Sequence, residues 1–255
     1  MINADSLRLT VIGAVMALLV PALATAVTEG ESQAIQPAHN YVGNVESLQR
    51  GAKYFVNYCL GCHSAKYVRY NRLAEDLGLS EEQLIENLMF TGERPYDAMT
   101  NAMPAEDAER WFGVAPPDLS LTARSEGVDY IYSYLKSFYL DDERPTGVNN
   151  RVLEASAMPH VLWELQGWQE AIFHEEQAAD GGVNREFVRF EPVTQGVLSA
   201  EEYDRFVRDI ANFLDYVSEP VQLERRNLGV LVILFLLVFL LFAWMLKKEY
   251  WKRVQ

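Results

Sequence analysis

The chain is poor in sulfur ligands and in positive charge. Of its 255 residues only two are cysteine and four are histidine, and 22 lysines and arginines face 36 aspartates and glutamates. Two cysteines cannot supply the second pair that a four-cysteine zinc site needs. A site of two cysteines and two histidines would have to recruit His160 or His174 at a spacing zinc modules do not use. A net charge of −14 speaks against nucleic acid and anionic lipid as partners. Composition also excludes a disordered chain, since 49% of residues are apolar and 12% aromatic. The charge is uneven. The first 26 residues sum to zero and the tail from Asn227 carries +3, so the stretch between carries −17. Such a stretch would attract a basic protein within a Debye length, about 8 Å at physiological salt.

What is present centres on Cys59-Leu60-Gly61-Cys62-His63. This C-x-x-C-H run uses both cysteines, so none is left for a structural disulfide. Two thiols at this spacing can each add to a vinyl group of one haem while the adjacent imidazole binds the iron, the pattern of covalent c-type attachment. A thioredoxin-like dithiol would need a β-α-β setting that the flanks do not provide. The iron's chemistry then depends on its sixth position. The candidates are His39, His160 and His174, and Met89, Met99, Met103 and Met158. Methionine ligation suits electron transfer, and an open site suits ligand binding or peroxide chemistry. Met99 and Met103 lie at the separation usual in small c-type cytochromes and Met158 much further along, and spacing does not choose among them.

The ends of the chain concern membranes. Residues 1–26 read as a signal peptide, with Arg8 ahead of an apolar run from Leu9 to Leu23 and Ala24-Thr25-Ala26 as a small-x-small cleavage site. Leu228 to Leu246 is 19 residues without charge or proline, long enough at about 1.5 Å per residue to cross a hydrocarbon core of roughly 30 Å. Trp244, Tyr250 and Trp251 stand where an interfacial aromatic belt would, and Lys247, Lys248, Lys252 and Arg253 follow. The expected organisation is a signal peptide at 1–26, a periplasmic haem domain at 27–226, a transmembrane helix at 227–246 and a cytoplasmic tail at 247–255. That puts the protein in the cell inner membrane, with a single pass.

Between the ends, residues 27–43 read as a linker that wraps the domain. Asn44 is placed to cap a helix reaching about Asn57, with Leu48, Ala52 and Phe55 on one face. Gly51 costs such a helix about 1 kcal/mol against alanine, which a close helix crossing would explain. Ser80 with Gln83 forms a capping box that opens a helix to about Phe90, with Leu84, Ile85, Leu88 and Met89 inward. Residues 91–110 read as irregular, Pro116-Pro117-Asp118-Leu119-Ser120 as a rigid extended turn, 129–139 as a tyrosine-rich helix and 140–157 as a charged loop. Glu186 to Val197 suggests a small hairpin turning at Gln195-Gly196. Ser199 with Glu202 caps a helix whose stripe is Tyr203, Phe206, Val207, Ile210, Phe213, Leu214 and Val217.

Together these runs resemble the cytochrome c1 family, the haem subunits of cytochrome bc complexes (ubiquinol–cytochrome c reductase), in its proteobacterial form. The resemblance rests on Cys59-Leu60-Gly61-Cys62-His63 with Ser64-Ala65-Lys66-Tyr67-Val68-Arg69-Tyr70-Asn71-Arg72 behind it, on Ala115 to Ser120, on Asp129-Tyr130, on Met158-Pro159 and on the C-terminal span. It implies a mainly α fold, a class I cytochrome c-type haem domain with long insertions plus one C-terminal transmembrane helix. It implies one covalent haem c on Cys59 and Cys62, axial ligands His63 and Met158, and haem propionates met by Arg124 and Tyr130. The implied role is electron transfer from a Rieske iron–sulfur protein to a cytochrome c, beside cytochrome b in a dimeric complex, with no substrate bond made or broken by this subunit. The alternatives are another membrane-anchored c-type carrier, such as an oxidase subunit, or a haem protein with an open sixth site.

Overall fold

A computed structural model describes residues 35–177 and 183–252; the expected signal peptide lies outside them. In chain order the elements are α1 (Val45–Tyr58), β1 (Ala65–Arg69), α2 (Tyr70–Leu77), α3 (Glu81–Asn87), β2 (Ala98–Met99), α4 (Ala105–Phe112), α5 (Thr122–Ser125) and α6 (Val128–Lys136). They continue with β3 (Phe138–Leu140), β4 (Val148–Asn150), α7 (Trp163–Gln166), β5 (Gln169–Gln177), β6 (Val183–Pro192), α8 (Ala200–Ser218) and α9 (Gln222–Trp251).

The core is organised by the crossing of α1 and α8. Asn44 caps α1, its side chain accepting from the Ser47 amide at 3.1 Å, and Ser199 with Glu202 closes a full capping box on α8. All seven apolar residues read from the sequence as the α8 stripe are buried. The helices touch at Gly51, where an added Cβ would collide with the Asp209 carbonyl oxygen and stand 2.6 Å from Phe213 Cβ. Asp209 is only 3% exposed, and its carboxylate is satisfied by Ser47 Oγ at 2.6 Å and Arg50 Nε at 2.6 Å. A buried charge left without such partners would be strongly destabilising. The apolar stripe therefore drives the contact, and the polar pair sets its register.

Residues 36–41 wrap this core as the sequence suggests. The Ala38 amide donates to Asp129 Oδ1 at 2.8 Å, Arg208 Nε donates to the Ala38 carbonyl at 2.8 Å, and Asn40 Nδ2 reaches Asp215 Oδ2 at 2.8 Å. The strap ties α6 to α8.

Several local expectations need correction. Ile85 is exposed while Leu84 and Leu88 are buried, because α3 ends at Asn87 and only one narrow face reaches the core. The 91–110 stretch is not wholly irregular, since it holds β2 and the start of α4. The 140–157 loop contains β4, which pairs with β3 in antiparallel register from Phe138↔Asn150 to Leu140↔Val148. The hairpin expected at 186–197 is β5 against β6, from Gln169↔Pro192 to Gln177↔Val183, with an irregularity between Ile172 and Phe173. The partner strand escapes sequence reasoning because β5 sets Ala171-Ile172-Phe173 among glutamine, glutamate and histidine, without the alternation that marks a half-buried strand. Residues 193–198 instead return to α7, with Val197 N donating to Glu164 O at 2.8 Å and Leu198 N to Leu165 O at 3.1 Å. Gly167 makes this possible at φ +88, and a Cβ there would lie 2.7 Å from Gly196 N.

α9 is 30 residues of helix with no residue buried within the described chain, and it contains the whole Leu228–Leu246 run. At about 1.5 Å per residue it is long enough to cross a membrane. The result is a mainly helical domain with small two-stranded sheets and a single apolar C-terminal anchor, the architecture expected from sequence.

Candidate haem-binding cavity

The end of α1 delivers the cysteine motif. Cys59 N still donates to Phe55 O at 2.8 Å, and His63 N turns back to Cys59 O at 2.8 Å. The motif therefore continues as a helical turn, and Cys59, Cys62 and His63 all face one hollow. Leu60, 1% exposed, pins the turn from the core side.

His63 Nδ1 lies 2.8 Å from the Pro117 carbonyl oxygen. A carbonyl only accepts, so Nδ1 carries the proton and Nε2 keeps its lone pair. Burial lowers the His63 pKa, opposed by the Pro117 bond and by the charge of Asp118, so the ring is neutral near pH 7. A neutral imidazole oriented through its second nitrogen is the usual state of a histidine metal ligand. Pro117 is placed by its neighbours: Leu119 N donates to Ser64 O at 2.8 Å, and the Asp118 carboxylate accepts from Lys66 N at 3.1 Å and Ser120 N at 2.9 Å. Asn101 completes the frame. Its amide N–H donates to Ser64 Oγ at 2.9 Å and its side chain donates to the Cys62 carbonyl.

The hollow is a cavity of about 510 Å³. Cys59, Cys62, His63 and Met158 all line it, with Ile131 and Leu135 from α6, Ile210 and Leu214 from α8, and Pro116, Pro117 and Leu119 from the extended turn. Volume and apolar walls lie within the range of small-molecule and cofactor sites. Burial pushes the Cys59 thiol up to about 12, with Cys62 adding to the rise, so its sulfur is held as a neutral thiol. Two thiols, an imidazole with a free Nε2 and a thioether around one apolar cavity fit a haem.

Of the expected site residues, Cys59, Cys62, His63, Met158 and Tyr130 share this wall. Arg124 does not: it is exposed, and its neighbours Ser125 and Glu126 line the cavity instead. The other methionine candidates are also elsewhere. Met99 is fully buried in β2, and neither it nor Met89 or Met103 reaches the cavity. His160 does not line it either; its ring stacks on Phe138 at 5.0 Å and meets Trp168 edge-on at 5.8 Å. Burial pushes His160 down to about 4, against a nearby Gln166.

Some supporting residues escape sequence reasoning. Tyr134 lines the cavity, and its hydroxyl lies 2.6 Å from Ser156 Oγ. Asn149 and Asn150, both buried, hold the loop that leads to Met158. Asn150 Oδ1 accepts from Val152 N at 2.9 Å and Leu153 N at 3.2 Å, its Nδ2 donates to Tyr134 O at 2.8 Å, and Asn149 Oδ1 accepts from Ala155 N at 2.9 Å. Two adjacent asparagines after a glycine turn are a faint signal for such loop-bracing bonds.

Comparison with known proteins agrees with this arrangement. The family model described as "Cytochrome C1 family" matches residues 36–167 and 188–254. Cytochrome c1 of Allochromatium vinosum is 51% identical over 88% of this chain and 91% of its own length. A Nitrosomonas europaea protein named ammonia monooxygenase gamma subunit is 46% identical over 82% of this chain and 84% of its own. Cytochrome c1 of Rhodospirillum rubrum is 28% identical, covering 82% of each chain. The interval between the two matched stretches, 168–187, falls on β5 and the first part of β6. With the cysteine turn, the extended proline segment and the C-terminal anchor all inside the matched regions, the chain belongs to the cytochrome c1 family.

Proposed function

We propose that this chain is the membrane-anchored haem subunit of a quinol–cytochrome c reductase, carrying single electrons from a Rieske iron–sulfur protein to a cytochrome c. The observation that carries the reading is that Cys59, Cys62, His63 and Met158 line one apolar cavity while Pro117 fixes the His63 tautomer. Family membership supports the complex, in which cytochrome b and a Rieske protein are the partners.

In this reading Cys59 and Cys62 would hold one haem c through thioethers, and His63 Nε2 and Met158 Sδ would be the protein atoms that bind its iron. When bound, the haem supplies an iron that alternates between two oxidation states one electron at a time. The chain's own work is to orient and to exclude. Pro117 keeps the His63 proton on Nδ1, so the lone pair stays on Nε2. Ile131, Leu135, Ile210 and Leu214 keep water from the interior wall, and Asn149 and Asn150 hold the loop ahead of Met158. Tyr130 faces the same cavity and would meet a propionate.

Residues 1–26 act as the export signal, the haem domain to about residue 226 lies in the periplasm, α9 anchors it in the inner membrane, and the basic tail from Lys247 stays in the cytoplasm. The complex is a dimer. The acidic domain meets a basic acceptor by weak, salt-sensitive docking.

Met158→Leu in the full-length protein tests the assignment. It is expected to lower the midpoint potential, abolish the charge-transfer band of methionine ligation and admit carbon monoxide. An unchanged spectrum and potential would remove Met158 from the reading. Copurification with cytochrome b and a Rieske protein tests the complex.

A further inference from the structure

The chain reaches Met158 across the protein surface. Leu153, Glu154 and Ala155 are exposed, and the backbone turns inward at Ser156, which is 6% exposed and lines the cavity. The turn is strained. Ala155 sits at φ +61, a left-handed conformation that alanine adopts only at a cost and glycine adopts freely. Such a conformation persists where its surroundings hold it. Asn149 is one holder, since its Oδ1 accepts from Ala155 N at 2.9 Å. Tyr134 on α6 is the other. Its carbonyl accepts from Asn150 Nδ2 at 2.8 Å, at the start of the segment, and its hydroxyl lies 2.6 Å from Ser156 Oγ, at the end. One residue therefore grips both ends, and the second grip falls two positions before Met158. Tyr134 is itself fixed in place. Its ring stacks on Tyr130 with centroids 6.2 Å apart and meets Phe138 edge-on at 5.1 Å.

We infer that Tyr134 is a positioning residue for Met158: its hydroxyl latches Ser156 and so holds a strained loop in the conformation that keeps Met158 on the cavity wall. The inference deepens the proposed function and rests on Met158 being an iron ligand. Its physical content is a loop with two states. With the latch closed, Met158 lines the cavity. With the latch open, the left-handed turn at Ala155 relaxes, the loop moves outward, and the side of the cavity that Met158 covers admits a small diatomic molecule. Breaking the latch leaves two hydroxyls to find new partners beside apolar walls, which disfavours the open state. The strain at Ala155 favours it. The balance of the two sets how often the loop opens.

The test is stopped-flow binding of carbon monoxide to the reduced full-length holoprotein, with amide hydrogen exchange at residues 150–157 measured on the same samples. Tyr134→Phe keeps the ring, its stacking and the backbone bond to Asn150, and removes only the hydroxyl. It is expected to speed carbon monoxide binding about fivefold, the population shift that one lost hydrogen bond produces. It is also expected to weaken the charge-transfer band of methionine ligation and to speed exchange at the Ala155 amide. Ser156→Ala is expected to do the same, and the double variant to be no faster than either single one, because both remove the same bond. Ala155→Gly takes up the left-handed turn without strain, so it is expected to slow binding below wild type and to offset Tyr134→Phe in part. Wild-type binding and exchange in Tyr134→Phe would overturn the inference, as would additive effects of Tyr134→Phe and Ser156→Ala, or faster binding in Ala155→Gly. Those outcomes leave the Met158 reading standing; an unchanged spectrum in Met158→Leu would remove both.

Discussion

His63 Nδ1 and the carbonyl oxygen of Pro117, 54 residues apart in sequence, stand 2.8 Å from each other. This one bond joins the cysteine turn to the extended proline segment and leaves Nε2 free to bind a metal. Its geometry depends on how firmly the two segments are held together.

Leu119 N and the Asp118 carboxylate tie the two segments directly, and Asn101 braces the cysteine turn from its other flank, through Ser64 and the Cys62 carbonyl. Asn101→Ala removes the side-chain bonds and leaves a part-buried carbonyl unpaired. It should cost about 1–3 kcal/mol, seen as a lower melting temperature, with a smaller fraction of chains carrying covalent haem on a haem-stained gel.

Asn150 acts on the other side of the cavity. Asn150→Ala deletes three hydrogen bonds that brace the 150–155 loop, at roughly 2–3 kcal/mol in total. Met158 should then be less firmly held, and carbon monoxide should bind the reduced protein faster than in the wild type. Asn150→Asp, which keeps the two accepted bonds, should restore slow binding.

Two glycines give opposite forecasts. Gly51→Ala forces a methyl into the α1–α8 crossing against Asp209 backbone and Phe213, and overpacking of this kind costs about 1–3 kcal/mol or more. Gly61, inside the cysteine motif, has nothing within 4 Å of a built Cβ. Gly61→Ala should leave the denaturation midpoint within about 0.5 kcal/mol of wild type, and chemical unfolding of the two variants side by side separates them.

Asp204 couples stability to pH. Burial would raise its pKa, but bonds from Lys136 and Tyr132 and the charges of Lys136 and Arg208 outweigh burial and hold it below the ordinary carboxylate value. A depressed folded-state pKa means the stabilisation is complete above the unfolded value, about 3.9, and disappears as pH falls through the lower folded one. Asp204→Asn should cost about 1–2 kcal/mol at neutral pH, discounted for partial exposure. The gap from wild type should hold down to about pH 5 and close below about pH 4, measured by urea unfolding across that range.

Much of the site is legible in the sequence because its chemistry is local. Cys59, Cys62 and His63 lie within five residues, and no tertiary contact is needed to see that a helical turn faces them the same way. The capping boxes at Ser80 and Ser199 are equally local, as is the apolar stripe of α8. The ribbon is not legible, since β5 and β6 acquire their meaning only from pairing across the chain. Met158 is singled out by family likeness and not by spacing; the cavity adds what spacing lacks, since Met99 is sealed in β2 and Met103 is off the wall.

By itself the sequence determined the cysteine–histidine motif, the apolar helix of the C-terminal anchor, the acidic surplus of the domain and the two helices that cross at Gly51. Each follows from residue type and period over a few turns of chain. Only the tertiary structure decided which nitrogen of His63 is free and which methionine lines the cavity with it. Those outcomes depend on where two long loops come to rest, and residues dozens of positions away set that.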